Sequence, residues 1–116
     1  MGLKMNKRNF PEQRRIFLAV VGEKKRPVLV VSIDERNEYA NDVLVVPIST
    51  TMREAPTHVK LYPSRSGLKE PSTVKCEQIT TIKKDELIGS PIGRIGATDF
   101  SEIQKGILRA IGVPID

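Results

Sequence analysis

Two clusters in this 116-residue chain have the residue types and spacing to handle a phosphodiester. Lys24, Lys25 and Arg26 stand directly before an apolar run that Pro27 opens, and Ser49, Thr50 and Thr51 directly follow another, Val43 to Ile48. An arginine can donate two hydrogen bonds to a phosphate and neutralise charge that develops on it, while a hydroxyl fixes its orientation. If the two runs are antiparallel neighbours, the start of one lies beside the end of the other; parallel strands would separate them. The sequence leaves both arrangements open. A third group sits on the alternating stretch Val74 to Ile79. Val74 and Cys76 point inward there, so Lys75 and Glu77 are expected to project together from the outer face, roughly 7 Å apart along the strand.

Other chemistries find less support. Asp34, Glu35, Glu38 and Asp42 crowd one segment, but their spacing matches no calcium loop and lacks its glycine, so a solvated charged loop is expected. His58 and Cys76 could form a nucleophilic pair only if brought together. The strand phase places His58 outside with Lys60 and Cys76 inside, which makes the cysteine structural. Gly89 to Gly93 contains a proline and no following Lys-Ser/Thr, so it is not a phosphate loop. Neither a metal nor a cofactor is expected.

The elements that position these residues are mostly strands. Ile16 to Val21 is too short for an ordinary helix, and Val28 to Ile33 and Val43 to Ile48 are continuous enough to be buried on both faces. Thr57 to Leu61 alternates, with Val59 and Leu61 inward. Ser64 to Pro71 is a turn-rich connection, and Asp85 to Leu87 fits one helical turn. Near the C-terminus Asp99 suits an N-cap, with Glu102 three residues on. Phe100, Ile103, Ile107, Ala110 and Ile111 then recur at helical spacing until Gly112 and Pro114. Gly106 inside that helix costs up to about 1 kcal/mol, so the helix needs tertiary packing. Five or six short strands with one terminal helix suggest an α+β, mainly β fold: a small, partly closed β-barrel. One domain is expected over residues 15–116, after a mobile basic lead-in over residues 1–14.

Composition narrows the class. Hydrophobic residues make up 39% and charged residues 28%, which fits a globular domain. The longest apolar runs are six residues, far short of a membrane span, and no signal peptide is readable in the basic, polar start. One cysteine excludes a disulfide framework and suits a reducing cytoplasm. The net charge of +5 lies in the N-terminal two thirds, the pattern of a polyanion binder, although the same charge would also keep a small protein soluble.

Ordered along the chain, these segments resemble the MazF/PemK toxin endoribonucleases. Lys25 to Ser32 resembles that family's Arg-Pro-hydrophobic strand, and Val46-Pro47-Ile48-Ser49-Thr50 its hydrophobic-Pro-x-Thr segment. Pro56 to Val59, Gly67 to Ser72 and Cys76 to Ile82 follow in the family's order, then Leu87 and Gly93-Arg94-Ile95. The resemblance covers about residues 15–113 and implies an SH3-like barrel and a homodimer. It implies metal-free cleavage of single-stranded RNA, in which a 2′-hydroxyl attacks the adjacent phosphorus. By this similarity Arg26 would stabilise the phosphate, Ser49 would stand in for the family's threonine, and Lys75 and Glu77 would match a basic-x-acidic pair used in catalysis. A glutamate near an arginine can take the 2′-hydroxyl proton while the arginine offsets charge on phosphorus. Glu23, Lys24, Lys25, Thr50, Thr51, His58, Lys75 and Gln78 would contact RNA. A cognate antitoxin with an acidic segment would cover the groove. The chain departs from the family in its short connection from Val21 to Arg26, where Glu23 replaces the usual acid, and in Arg14-Arg15 before the first strand. The other reading is a non-catalytic binder on the same fold, either a weakened RNA binder or an inhibitor of DNA gyrase.

Overall fold

The computed structural model describes residues 9–115. The first two apolar runs form a hairpin of β1 (Arg15–Val21) and β2 (Lys24–Val30), paired from Ile16–Leu29 to Val21–Lys24. Two residues turn it, and Gly22 alone has positive φ (65°), the type II′ pattern that glycine at the first central position permits. The ladder therefore runs to the tip, and Lys24, Lys25 and Arg26 belong to the strand itself.

β3 (Asp42–Ser49) lies antiparallel to β2, and its other edge is shared. Asp42 to Val45 pair with β6 (Thr80–Lys83), whereas Ile48 and Ser49 pair with β5 (Ser72–Lys75), which continues to β4 (His58–Leu61). The sheet thus forks along β3. β7 (Leu87–Arg94) completes it beside β1, giving, among the described residues, seven antiparallel strands in a sheet that does not close. β6 and β7 have no alternating apolar pattern, and β7 is interrupted by a bulge opposite Ile16–Leu18.

Both faces of the central strands are buried, as their apolar continuity requires. One face packs Leu29, Val46, Ile48, Val74 and Cys76 under α3 (Ala97–Ala110), which contributes Phe100 and Ile103. The other face gathers Phe17, Ala19, Val28, Val30, Val43 and Val45. Gly106 is explained by this packing: a Cβ there would meet the Cys76 Sγ at 2.7 Å. Its absence lets α3 seat directly on the turn that carries Cys76.

Three expectations change. The acid-rich segment is not a solvated loop but α1 (Asp34–Tyr39), anchored by the fully buried Asn37. The Asn37 amide donates to the Ser32 and Pro11 carbonyls (2.9 and 3.0 Å) and accepts from the Ser32 hydroxyl (2.5 Å). Helix α3 begins after Gly96; Asp99 lies inside its first turn and pairs with Arg65 of α2 (Pro63–Ser66) at 3.0 Å. Of the basic lead-in, residues 1–8 lie outside the described residues. Residues 9–14 pack on the sheet: Gln13 bonds Asp34 and Val31, and Arg14 bridges Val30 and Ile95. The folded unit therefore starts before residue 15. Among the described residues no helix is long and apolar enough to cross a membrane.

Candidate active site

The β2–β3 register decides which of the two arrangements open in the sequence is real. The pairs Val28–Pro47, Leu29–Val46 and Val30–Val45 are antiparallel, and the same register continued two residues sets Arg26 opposite Ser49. Pro47 fits in the middle of β3 for a related reason. Val31 donates to the Leu44 carbonyl across this ladder (2.9 Å), so alternation turns the Pro47 nitrogen away from β2, toward the fork. No ladder bond is lost to the proline there.

At the fork a 3-10 turn, Cys76–Gln78, connects β5 toward β6. A cavity of about 370 Å3 opens between this turn, β3 and the tip of the β1–β2 hairpin. Val28 and Val45 form its buried floor, an extension of the second apolar cluster, and Val21, Pro47 and Ile82 add apolar wall. Arg26, Ser49, Lys75, Gln78 and Thr80 supply the polar lining. Among the described residues, two cations and no carboxylate line this space.

The 3-10 turn also corrects the strand-phase expectation for Glu77. Alternation stops at Lys75, and in a 3-10 turn residues three apart eclipse. Lys75 and Gln78 therefore share the cavity, while Glu77 leaves it. Its carboxylate accepts from the Thr57 hydroxyl at 2.8 Å and lies 3.1 Å from the His58 Nε2. Partial burial opposes ionisation of Glu77, but the hydrogen bonds from Thr57, its own backbone and His58 outweigh that effect and hold its carboxyl below the ordinary value. The His58 side chain, expected outside with Lys60, is only 8% exposed. The sequence contains a signal for this break: strict alternation would have buried the Gln78 amide beside Cys76.

The remaining candidates are distributed around the cavity. Lys24 shares the face of Arg26 by the period of two, Lys25 lies on the opposite face, and Glu23 is in the hairpin turn. Thr50 and Thr51 are exposed beyond the end of β3, and the Thr51 amide donates to the Ser49 hydroxyl oxygen at 3.1 Å. Val21, Thr80 and Ile82 were not singled out by their residue types; their place follows from the fork. Burial, aided by the Glu77 charge, pushes the Cys76 thiol up to about 12, as befits a structural cysteine. Among the described residues no three His, Cys, Asp or Glu side chains gather as a metal site would require.

Comparison with known proteins agrees with this architecture along nearly the whole chain. The endoribonuclease MazF4 of Mycobacterium tuberculosis is 32% identical over 108 residues, 91% of this chain and 97% of its own. A mycobacterial endoribonuclease solved in complex with its cognate antitoxin superposes with a TM-score of 0.81 at 31% identity, covering 91% of this chain and 99% of that one. The MazE–MazF structure from Deinococcus radiodurans shares the fold at 16% identity, with a TM-score of 0.76 over 90% of this chain and 98% of that one. The sequence profile of PemK-like, MazF-like toxins matches residues 12–111. With that match and the MazF4 similarity together, the chain belongs to the PemK-like, MazF-like toxins of type II toxin–antitoxin systems.

Proposed function

We propose that this protein is the toxin of a toxin–antitoxin pair and cleaves single-stranded RNA in the cytoplasm without a metal ion. The observation that carries the reading is the cavity in which Arg26 and Lys75 accompany the Ser49 hydroxyl, with no carboxylate among the described lining residues. Such a site favours a phosphodiester, whose charge grows as a fifth oxygen approaches phosphorus. The 2′-oxygen forms the new bond to phosphorus and the bond to the 5′-oxygen breaks. The 2′-hydroxyl gives up its proton and the departing oxygen gains one, leaving a 2′,3′-cyclic phosphate and a 5′-hydroxyl. Arg26 offsets the developing charge by a two-point contact, Lys75 adds a second cation, and Ser49 orients a phosphate oxygen. The Gln78 amide, on the same wall, suits hydrogen bonding to a base edge.

The resemblance extends the proposal to a homodimer whose basic groove accepts an acidic segment of the antitoxin. The purified protein, incubated with a long single-stranded RNA in EDTA, is expected to leave cyclic phosphate and 5′-hydroxyl ends. Absence of cuts, or cuts only after divalent metal is restored, would overturn the mechanism. Ser49→Ala is expected to slow cleavage about tenfold, the effect of one neutral hydrogen bond. Thr50, exposed beyond the end of β3, is not among the residues lining the cavity and is not expected to replace it. Single-turnover rates check this, and a wild-type rate would remove Ser49 from the site.

A further inference from the structure

Glu77 is the charged residue next to the cavity that the cavity does not use. Its two oxygens are engaged by Thr57 and His58, and the other ring nitrogen of His58, Nδ1, lies 3.1 Å from the Arg53 carbonyl oxygen. A carbonyl and an ionised carboxylate have no hydrogen to give. The ring therefore satisfies both acceptors at once only as imidazolium. His58 in that form ties the 3-10 turn to residues 50–57, the connection that leaves β3 directly after Ser49. That connection is held at few other points. The His58 amide donates to the Ala55 carbonyl and the Cys76 amide to the Thr57 carbonyl (both 3.0 Å), the Thr73 hydroxyl donates to the Met52 sulfur (3.4 Å), and Glu54 pairs with Lys60.

We propose that Glu77 and a protonated His58 form a clamp that positions residues 50–57 and, through them, the Ser49 hydroxyl. Glu77 is then a positioning residue, in place of the general-base role that the family resemblance suggests. The link to Ser49 is the Thr51 amide, which occupies a lone pair of the Ser49 oxygen and leaves the Ser49 hydrogen to be donated to phosphate. The clamp rests on the RNA-cleaving reading of the cavity. The other charges on the elements around the ring are few. Lys75 lies across the β4–β5 ladder from His58, Arg53, whose carbonyl meets the ring, is an exposed cation, the Lys60–Glu54 pair sits on the outer face, and Arg109 of α3 acts on Cys76. Lys75 and Arg109 are cations, which leaves Glu77 as the carboxylate hydrogen-bonded to the ring.

His58 is the sole histidine, so its ring gives one resolved imidazole signal in a proton NMR titration. In the unaltered protein, the protection of the amides of residues 51–55, each rate taken relative to base-catalysed exchange of an unstructured chain at the same pH, is expected to fall, and cleavage to slow, as pH rises through the titration of that signal. Glu77→Gln and His58→Gln are each expected to lower the cleavage rate about tenfold, and the double variant also about tenfold, because both break one device. The pH step should vanish in E77Q. A thousandfold loss in E77Q with a wild-type rate in H58Q would overturn the clamp and make Glu77 the base. Amide protection that stays constant across the His58 titration would overturn it too, even if the variants fold poorly. If the unaltered protein cuts no RNA, the functional reading fails, while the exchange measurement still decides the clamp.

Discussion

Replacing Arg26 with alanine is expected to lower RNA cleavage by about a hundred- to a thousandfold, the usual range for removing one preorganised group from developing charge. The fold should barely register the change. Arg26 is exposed near the hairpin tip, and its place in β2 depends on backbone pairing with Ala19 that alanine retains. Surface substitutions of that kind usually stay within about 0.5 kcal/mol. Circular dichroism and the urea midpoint should therefore match the parent while the cleavage rate collapses. Arg26→Lys keeps the charge and loses the two-point contact, so it should recover only part of the rate. An alanine variant that cuts as fast as the parent would remove Arg26 from the chemistry.

The largest expected loss of stability lies on the far side of the sheet. A Cβ on Gly93 would stand 2.2 Å from the Ser66 carbonyl oxygen, where α2 crosses β7. That obstacle is backbone, so no rotamer change relieves it, and either the helix or the strand has to move. Gly93→Ala should cost about 3 kcal/mol, the upper end for overpacking, seen as a lower urea midpoint. Gly89 lies on the same strand with open space around its missing Cβ but has a φ of 67°. Gly89→Ala should cost only the left-handed backbone penalty, about 1 kcal/mol. Equal losses at the two positions would mean that the α2–β7 contact is not what requires glycine.

The parts legible in the sequence were those in which one local rule governs. β1, β2 and β3 announce themselves by apolar runs, α3 by helical spacing, and Arg26 and Ser49 by their position at strand ends. Their convergence needed the strand direction, which is a long-range fact. β7 stayed hidden because Gly89, Pro91 and Gly93 serve a bulge and a helix contact in place of an alternating face. α1 stayed hidden because its anchor is the amide of Asn37, a polar residue that no hydrophobic pattern reveals. The side reached by Glu77 turned on three residues of 3-10 geometry, enough to reverse a period-two argument.

The fork along β3 has a consequence for when the protein becomes active. Arg26, Ser49 and Lys75 arrive on three strands, and the walls around them include Thr80 and Ile82 of a fourth. The pairs Ile48–Val74 and Val45–Thr80 close long stretches of chain, and contacts of that kind are made late, after their loop entropy has been met. A chain still emerging from the ribosome can form the β1–β2 hairpin early, with Arg26 already in place, yet it has no cavity until β5 and β6 have been made and have docked. On the proposed function, a nascent chain is therefore expected to leave RNA uncut until β5 and β6 have docked, for most of its synthesis.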